Sequence, residues 1–223
     1  NPDAVKAGLV NLEKHVENVQ QFNITPVVAI NQFVSDTPEE IAIVQKRCEE
    51  LGIKAVIANV WGKGGEGAEE LAAAVTEVVD NTTEKFEPIY KWDWSVEEKI
   101  KAVATKIYGA KAIDYSPKAK LHLRKIARLG LEDLPVCIAK TQKSLSDNPK
   151  LLGRPKDFLV TVREIEIAAG AGFLIPITGK IMRMPGLPSV PSAEAIDMFM
   201  GSGEQMLKRV HFKLRETGME DIY

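Results

Sequence analysis

The feature that most constrains this chain is a pair of short apolar runs separated by one helix-length segment. PVVAI, followed by Asn31, and KAVIANV, ending at Trp61, are rich in β-branched residues. Such runs read as buried strands of a parallel sheet. Between them Ser35, Asp36 and Thr37 offer helix N-caps and Pro38 suits the first helical position. The helix reaches about Leu51, with Gly52 as its stop. The second run leads into GKGGEG and a helix over residues 68–79. Strand, helix, strand, glycine loop, helix predicts a parallel sheet with right-handed crossovers. Ahead of it, Val5, Leu9, Leu12, Val16 and Val19 fall at helical spacing.

The second half has a different rhythm. Residues 81–94 form a connection in which Tyr90, Trp92 and Trp94 alternate as on one strand face, suited to a core, an inter-domain contact or an aromatic patch. Ser95-Val96-Glu97-Glu98 is a capping pattern for a helix ending at Gly109. AIDY reads as a short strand, Ser116-Pro117 opens a helix ending at Gly130, and PVCIAK reads as a buried strand. TQKSLSDNPKLLGRP is a long polar connection of the kind that often carries function. FLVTVREIEIA alternates, with Phe158, Val160 and Val162 on one face, then shifts phase at Arg163-Glu164 as at a bulge. Pro176 makes FLIPITGKI an edge or kinked strand, and MRMPGLPSVPS is a proline-rich extended segment. The organisation expected is residues 1–88, an α/β region; 89–198, a smaller α+β domain; and 199–223, an atypical tail with an amphipathic helix over 206–216.

Composition excludes several classes. Lys plus Arg is 29 against 31 Asp plus Glu, a net charge of −2, which argues against nucleic acid as a partner. No apolar run spans a bilayer, so no membrane partner is expected. Cys48 and Cys137 cannot build a disulfide framework, and the cytoplasm is the expected location. The chain opens directly on a helix without Met, as a piece of a longer protein would. There is no G-x-x-x-x-G-K-[ST], HExxH, G-x-S-x-G or CxxC. His15, His122 and His211 lack ligand spacing, and the first two read as helix-surface residues.

Two constellations remain. Asn31-Gln32-Phe33 and Trp61-Gly62-Lys63-Gly64-Gly65-Glu66-Gly67 each follow a predicted parallel strand. In open α/β sheets, ligands sit beyond the carboxyl ends of strands. Phe33 and Trp61 would then line one cleft, where a flat heteroaromatic ring could stack, the glycines would let the backbone approach, and Lys63 would meet a carboxylate. The alternative is that both rings are core and the glycines form an ordinary loop. Lys140-Thr141-Gln142 also leaves a predicted strand, as a ligand loop or a polar exit.

The motifs AKTQ-x-S-x-S-D, GRP-x-x-F-x-x-x-VRE and PITG-x-I-x-x-MPGLP, together with PVVAINQFVSDT and WGKGGEGAEEL, resemble the carboxy-terminal part of the formate–tetrahydrofolate ligase family. The likeness covers residues 1 to about 198. It implies an α/β fold whose parallel-sheet region is P-loop-NTPase-like, followed by the α+β domain. It implies an ATP-dependent ligase that makes 10-formyltetrahydrofolate from formate and tetrahydrofolate through formyl phosphate, with Mg2+ and a monovalent cation such as K+. In the family an aromatic and a Trp sandwich the pterin; the matching residues here are Phe33 and Trp61, with Ile57 at the apolar contact. Asn31, Lys140 and Thr141 are the expected nucleotide contacts, Asn31 by analogy with P-loop folds. A homo-oligomer, a tetramer, is the family's usual state.

Three departures temper the likeness. Val34 stands where relatives carry Pro, which loosens the turn after Phe33. The family's phosphate loop and formate residues lie upstream of the first residue here, so no catalytic residue is assigned and the isolated chain is expected not to turn over ATP. The tail after Met198 departs from the family pattern. A second reading is a non-catalytic folate-binding or assembly subunit that needs a partner chain.

Overall fold

The computed structural model describes residues 1–179 and Val190. Residues 1–179 fall within one compact unit of α/β class, with a two-stranded parallel sheet and a three-stranded mixed sheet. The two sheets lie on either side of residue 88. Residues 180–189 and 191–223, which hold the proline-rich segment except Val190 and the whole tail with its expected helix, lie outside the described residues.

The first half follows the sequence pattern closely. Helix α1 spans Pro2–Gln20, and Asn1 caps it by accepting the Ala4 N–H. Strand β1 (Val27–Asn31), helix α2 (Pro38–Glu50) and strand β2 (Lys54–Ala58) form the crossover unit. Of the offered caps, Thr37 is used: its hydroxyl accepts the Glu40 N–H, and the Glu40 carboxylate accepts the Thr37 N–H at 2.8 Å. β1 and β2 pair in parallel from Val27 opposite Lys54 to Asn31 opposite Ala58. On one face Leu12 and Val16 of α1, Val44 and Cys48 of α2, and Val28 and Ala55 of the strands pack together with Ile53. Burial there pushes the Cys48 thiol pKa up.

β1 differs from expectation. It is not a fully buried strand, because Ala29 and Asn31 are exposed. Among the described residues its only ladder partner is β2, so one edge and part of one face carry no cover. The run after β2 also differs. The strand stops at Ala58, and Trp61 sits on a one-turn helix, α3 (Val60–Lys63), which Asn59 caps. A 3₁₀ turn, Gly64–Ala68, then leads into α4 (Glu69–Asn81).

In the second half, residues 89–94 form bends instead of a strand. Tyr90 is tied elsewhere, its hydroxyl accepting the Val136 N–H, and the Trp94 N–H closes a turn onto the Lys91 carbonyl. Helix α5 (Val96–Ala102) starts at the Ser95–Glu98 capping box and runs into a π turn, Val103–Ile107. Strand β3 (Ala112–Tyr115), helix α6 (Pro117–Arg128), and strands β4 (Leu159–Ala168) and β5 (Phe173–Thr178) follow. β3 runs parallel and β5 antiparallel to β4, with a register shift between Val162 and Glu164 where the phase change predicts one. Val96 and Ile100, Ala119 and Ile126, Val162 and Ile165, and Leu174 close one core. His122 is no simple surface residue; its Nδ1 accepts the Ile165 N–H at 3.1 Å.

PVCIAK is neither a buried strand nor a continuous one. Its residues are half-buried, with Cys137 exposed, and it touches β5 through two isolated parallel bridges, Val136–Leu174 and Ala139–Ile177. The Cys137 N–H donates to the Leu174 carbonyl and the Ala139 N–H to the Pro176 carbonyl. The ladder bond between them would need an N–H on residue 176, which proline lacks. β5 is thus the edge strand of the three-stranded sheet, as the proline predicts, and its outer side carries only the two isolated bridges. β5 lies between β4 and this segment, and the proline interrupts the weaker side.

Candidate functional site

Strand register brings the two aromatic loops to neighbouring positions. Asn31 and Ala58 are paired at the ends of β1 and β2, and the Gln32 N–H continues the ladder onto the Ala58 carbonyl at 3.0 Å. Phe33 is the next residue on one side, and Trp61 follows three residues after Ala58 on the other. Phe33 is 53% exposed and Trp61 50% exposed, so neither ring is spent on the core. The alternative in which both are core residues is not what the fold contains.

Each ring is held by its own local device. The Phe33 N–H donates to the Asp36 carboxylate at 2.8 Å, and the Asp36 N–H returns to the Phe33 carbonyl at 3.1 Å. This reciprocal pair fixes the turn without the proline of the relatives, and Val34 projects into solvent, 85% exposed. Trp61 depends on Asn59. The Asn59 side chain accepts the Gly62 N–H at 3.0 Å, its carbonyl accepts the Lys63 N–H, and its own N–H donates to the Gly67 carbonyl. A methyl group at Gly67 would stand 2.1 Å from the Asn59 carbonyl oxygen, and one at Gly62 would stand 2.6 Å from the Asn59 side-chain oxygen. These two glycines let the loop close on itself, while the space beside Gly64 and Gly65 is open. Lys63 is exposed.

Ile57 is half-buried opposite Ile30. With strand alternation it shares the face of Val28 and Ala55, which packs toward α1 and α2. Asn31 is exposed at the end of β1. Lys140 and Thr141 belong to another neighbourhood. The Lys140 ammonium donates to the Thr141 carbonyl at 2.8 Å and to the Ser144 carbonyl, and lies 5.2 Å from the centre of the Tyr108 ring. Burial pushes its pKa down, opposed by the charge of Asp147. The Thr141 hydroxyl accepts the Lys143 N–H. Lys140 lines a cavity whose wall includes neither Asn31, Phe33 nor Trp61.

Asp36 and Asn59 are the positioning residues that periodicity does not single out. Both carry a readable signal, a short Asx side chain just beyond a strand end, where it turns the backbone or caps a helix. Among the described residues no cluster of three His, Cys, Asp or Glu side chains is placed to hold a metal ion, and no helix is long and apolar enough to cross a membrane.

A protein-family model described as formate–tetrahydrofolate ligase matches residues 1–205. That is most of the 223 residues, and the chain belongs to this family.

Proposed function

We propose that this member of the formate–tetrahydrofolate ligase family carries the folate-binding wall of an ATP-dependent ligase that makes 10-formyltetrahydrofolate, ADP and phosphate through formyl phosphate. The observation that supports this reading is the pair of half-exposed rings, Phe33 and Trp61, on loops leaving the carboxyl ends of two strands in parallel register. A flat pterin would stack on them, each ring contributing about 1 to 3 kcal/mol. Ile57 would supply an apolar contact. Asn31, open at the end of β1, would offer its amide to the nucleotide base.

Stacking orients the folate amine for attack on an activated formyl group; proximity of this kind is a large part of catalysis in two-substrate reactions. Phosphoryl transfer also needs a backbone N–H cradle and cations, and Mg2+ when bound neutralises charge on the transferred group. These 223 residues contain no G-x-x-x-x-G-K-[ST]. With no suitable cluster among the described residues, none of them is assigned to Mg2+ or to the monovalent cation. In this reading the phosphate cradle comes from other residues, and the present ones bind and orient the folate.

Calorimetric titration with tetrahydrofolate tests the reading. Trp61→Ala and Phe33→Ala should each weaken binding by about 5- to 150-fold, the equivalent of about 1 to 3 kcal/mol. Both rings are half in water, so the variants should keep the parent's circular dichroism. Affinities within twofold of the parent in both variants would refute the stacking role.

A further inference from the structure

We propose that the cavity between α1, the π turn and the loop after Lys140 binds a small organic anion with a planar, apolar body. It has a volume of about 640 Å³, inside the range of roughly 300 to 1,000 Å³ typical of small-molecule sites. It shares no residue with the strand-end rings.

The lining states the chemistry. His15, Asn18 and Phe22 of α1 form one wall; Tyr108, Lys140 and Lys143 form the facing one. Among the described residues no carboxylate lines it, although acidic residues outnumber basic ones in the chain, 31 to 29. Glu17, on the same helix, is engaged elsewhere by a bidentate pair with Arg154 at 2.7 and 2.6 Å. The lining thus carries two ammonium groups and no carboxylate, with Asp147 acting on Lys140 from outside it, and low-dielectric surroundings strengthen the attraction for an anion.

Lys140 is a fixed charge. Two carbonyls and the face of Tyr108 hold its ammonium, so the loop and the charge move together. Phe22 and Tyr108 provide surfaces for a flat apolar body. Asn18 is only 7% exposed, and its side-chain oxygen is buried without a hydrogen-bond partner. Buried acceptors are normally satisfied, and a ligand N–H or O–H would satisfy this one. The π turn that presents Ile107 and Tyr108 is a local irregularity of a kind found often at functional sites.

Calorimetry on the full chain tests the assignment with four probes: 1-naphthyl phosphate, 1-naphthoate, neutral 1-naphthol and inorganic phosphate. At least one of the two aromatic anions should bind one-to-one and at least tenfold tighter than both controls, and the better one identifies the anionic group. Lys143→Glu and His15→Glu, both at exposed positions, should each weaken that binding at least tenfold, while Trp61→Ala should leave it within twofold. Failure of both aromatic anions to bind, equal binding of 1-naphthol, or loss of binding in Trp61→Ala with retention in both cavity variants would overturn the proposal. Because the probes are read against Trp61→Ala, this outcome is separate from that of the tetrahydrofolate titration.

Discussion

The glycines after Trp61 make a graded test, since each should respond to a methyl group for a different reason. At Gly67 the added Cβ would meet backbone: the Asn59 carbonyl oxygen at 2.1 Å and its carbon at 2.4 Å. Neither atom can rotate away. The clash opens the loop and breaks the 3.0 Å bond from the Asn59 N–H to the Gly67 carbonyl. Overpacking costs about 1 to 3 kcal/mol and a lost hydrogen bond about 0.5 to 1.5, so Gly67→Ala should cost about 2 to 4 kcal/mol. At Gly62 the neighbour is the Asn59 side chain, which can swing out by giving up its cap, at about 0.5 to 2 kcal/mol. Gly64 has open space but a φ of 61°, so alanine costs about 1 to 2 kcal/mol. Gly65 has open space and no positive φ, and alanine there should change stability by less than about 0.5 kcal/mol.

Urea denaturation of the four variants reads the ranking directly, and tetrahydrofolate titration reads its consequence, because Gly67→Ala moves the backbone at the base of the Trp61 turn. That variant should lose affinity as well as stability, whereas Gly65→Ala should lose neither. If Gly67→Ala is no less stable than Gly65→Ala, the loop does not close through Asn59 and the account of how Trp61 is held is wrong.

Asp36→Ala removes the carboxylate that accepts the Phe33 N–H; tetrahydrofolate affinity should fall several-fold with a stability change of at most about 1 kcal/mol, and an unchanged titration would count against the turn. Lys99 is fully buried, and its ammonium donates to the Glu132 carbonyl at 2.6 Å and the Leu134 carbonyl at 3.2 Å; Lys99→Ala should cost about 2 to 5 kcal/mol in urea denaturation, and a loss below about 1 kcal/mol would contradict that anchoring. Burial pushes the Tyr108 phenol up to about 12, and Tyr115 is pushed up for the same reason. Unfolded phenols ionise near pH 10, so the stability these two contribute is intact below about pH 10 and is lost as pH rises toward and past about 12. Phenolate absorbance should show two tyrosines ionising late in the folded chain, and four ionising together near pH 10 before unfolding would refute it.

The elements that could be read in advance are those whose signals are local. Thr37 with Glu40 and Ser95 with Glu98 announce helix starts within four residues, and both capping boxes are present. The apolar runs at PVVAI and KAVIA mark two strands, and a helix-length connection between them leaves parallel pairing as the natural outcome. The strand-end placement of Phe33 and Trp61 follows from the same pattern, and their exposure adds what periodicity cannot show. The misreadings share a different property, for each depends on a partner distant in sequence. His122 reads as a helix-surface residue until its Nδ1 accepts the Ile165 N–H, and Tyr90 as one of a row of alternating aromatics until its hydroxyl accepts the Val136 N–H.

Pro176 shows the limit most sharply. A proline within an apolar run argues for an edge strand, because one side of the ladder must do without a donor. The inference that a side is missing is sound, but the identity of that side is set by the neighbours. β4 keeps its pairing with β5 through the register from Val162 opposite Thr178 to Ala168 opposite Phe173. The missing N–H falls toward Cys137, so PVCIAK, whose composition suits a buried strand, is left with two bridges and a gap. A donor restored at residue 176 would allow the PVCIAK segment to pair continuously with β5. The irregularity at Cys137 thus originates some forty residues away, in a side chain that cannot donate.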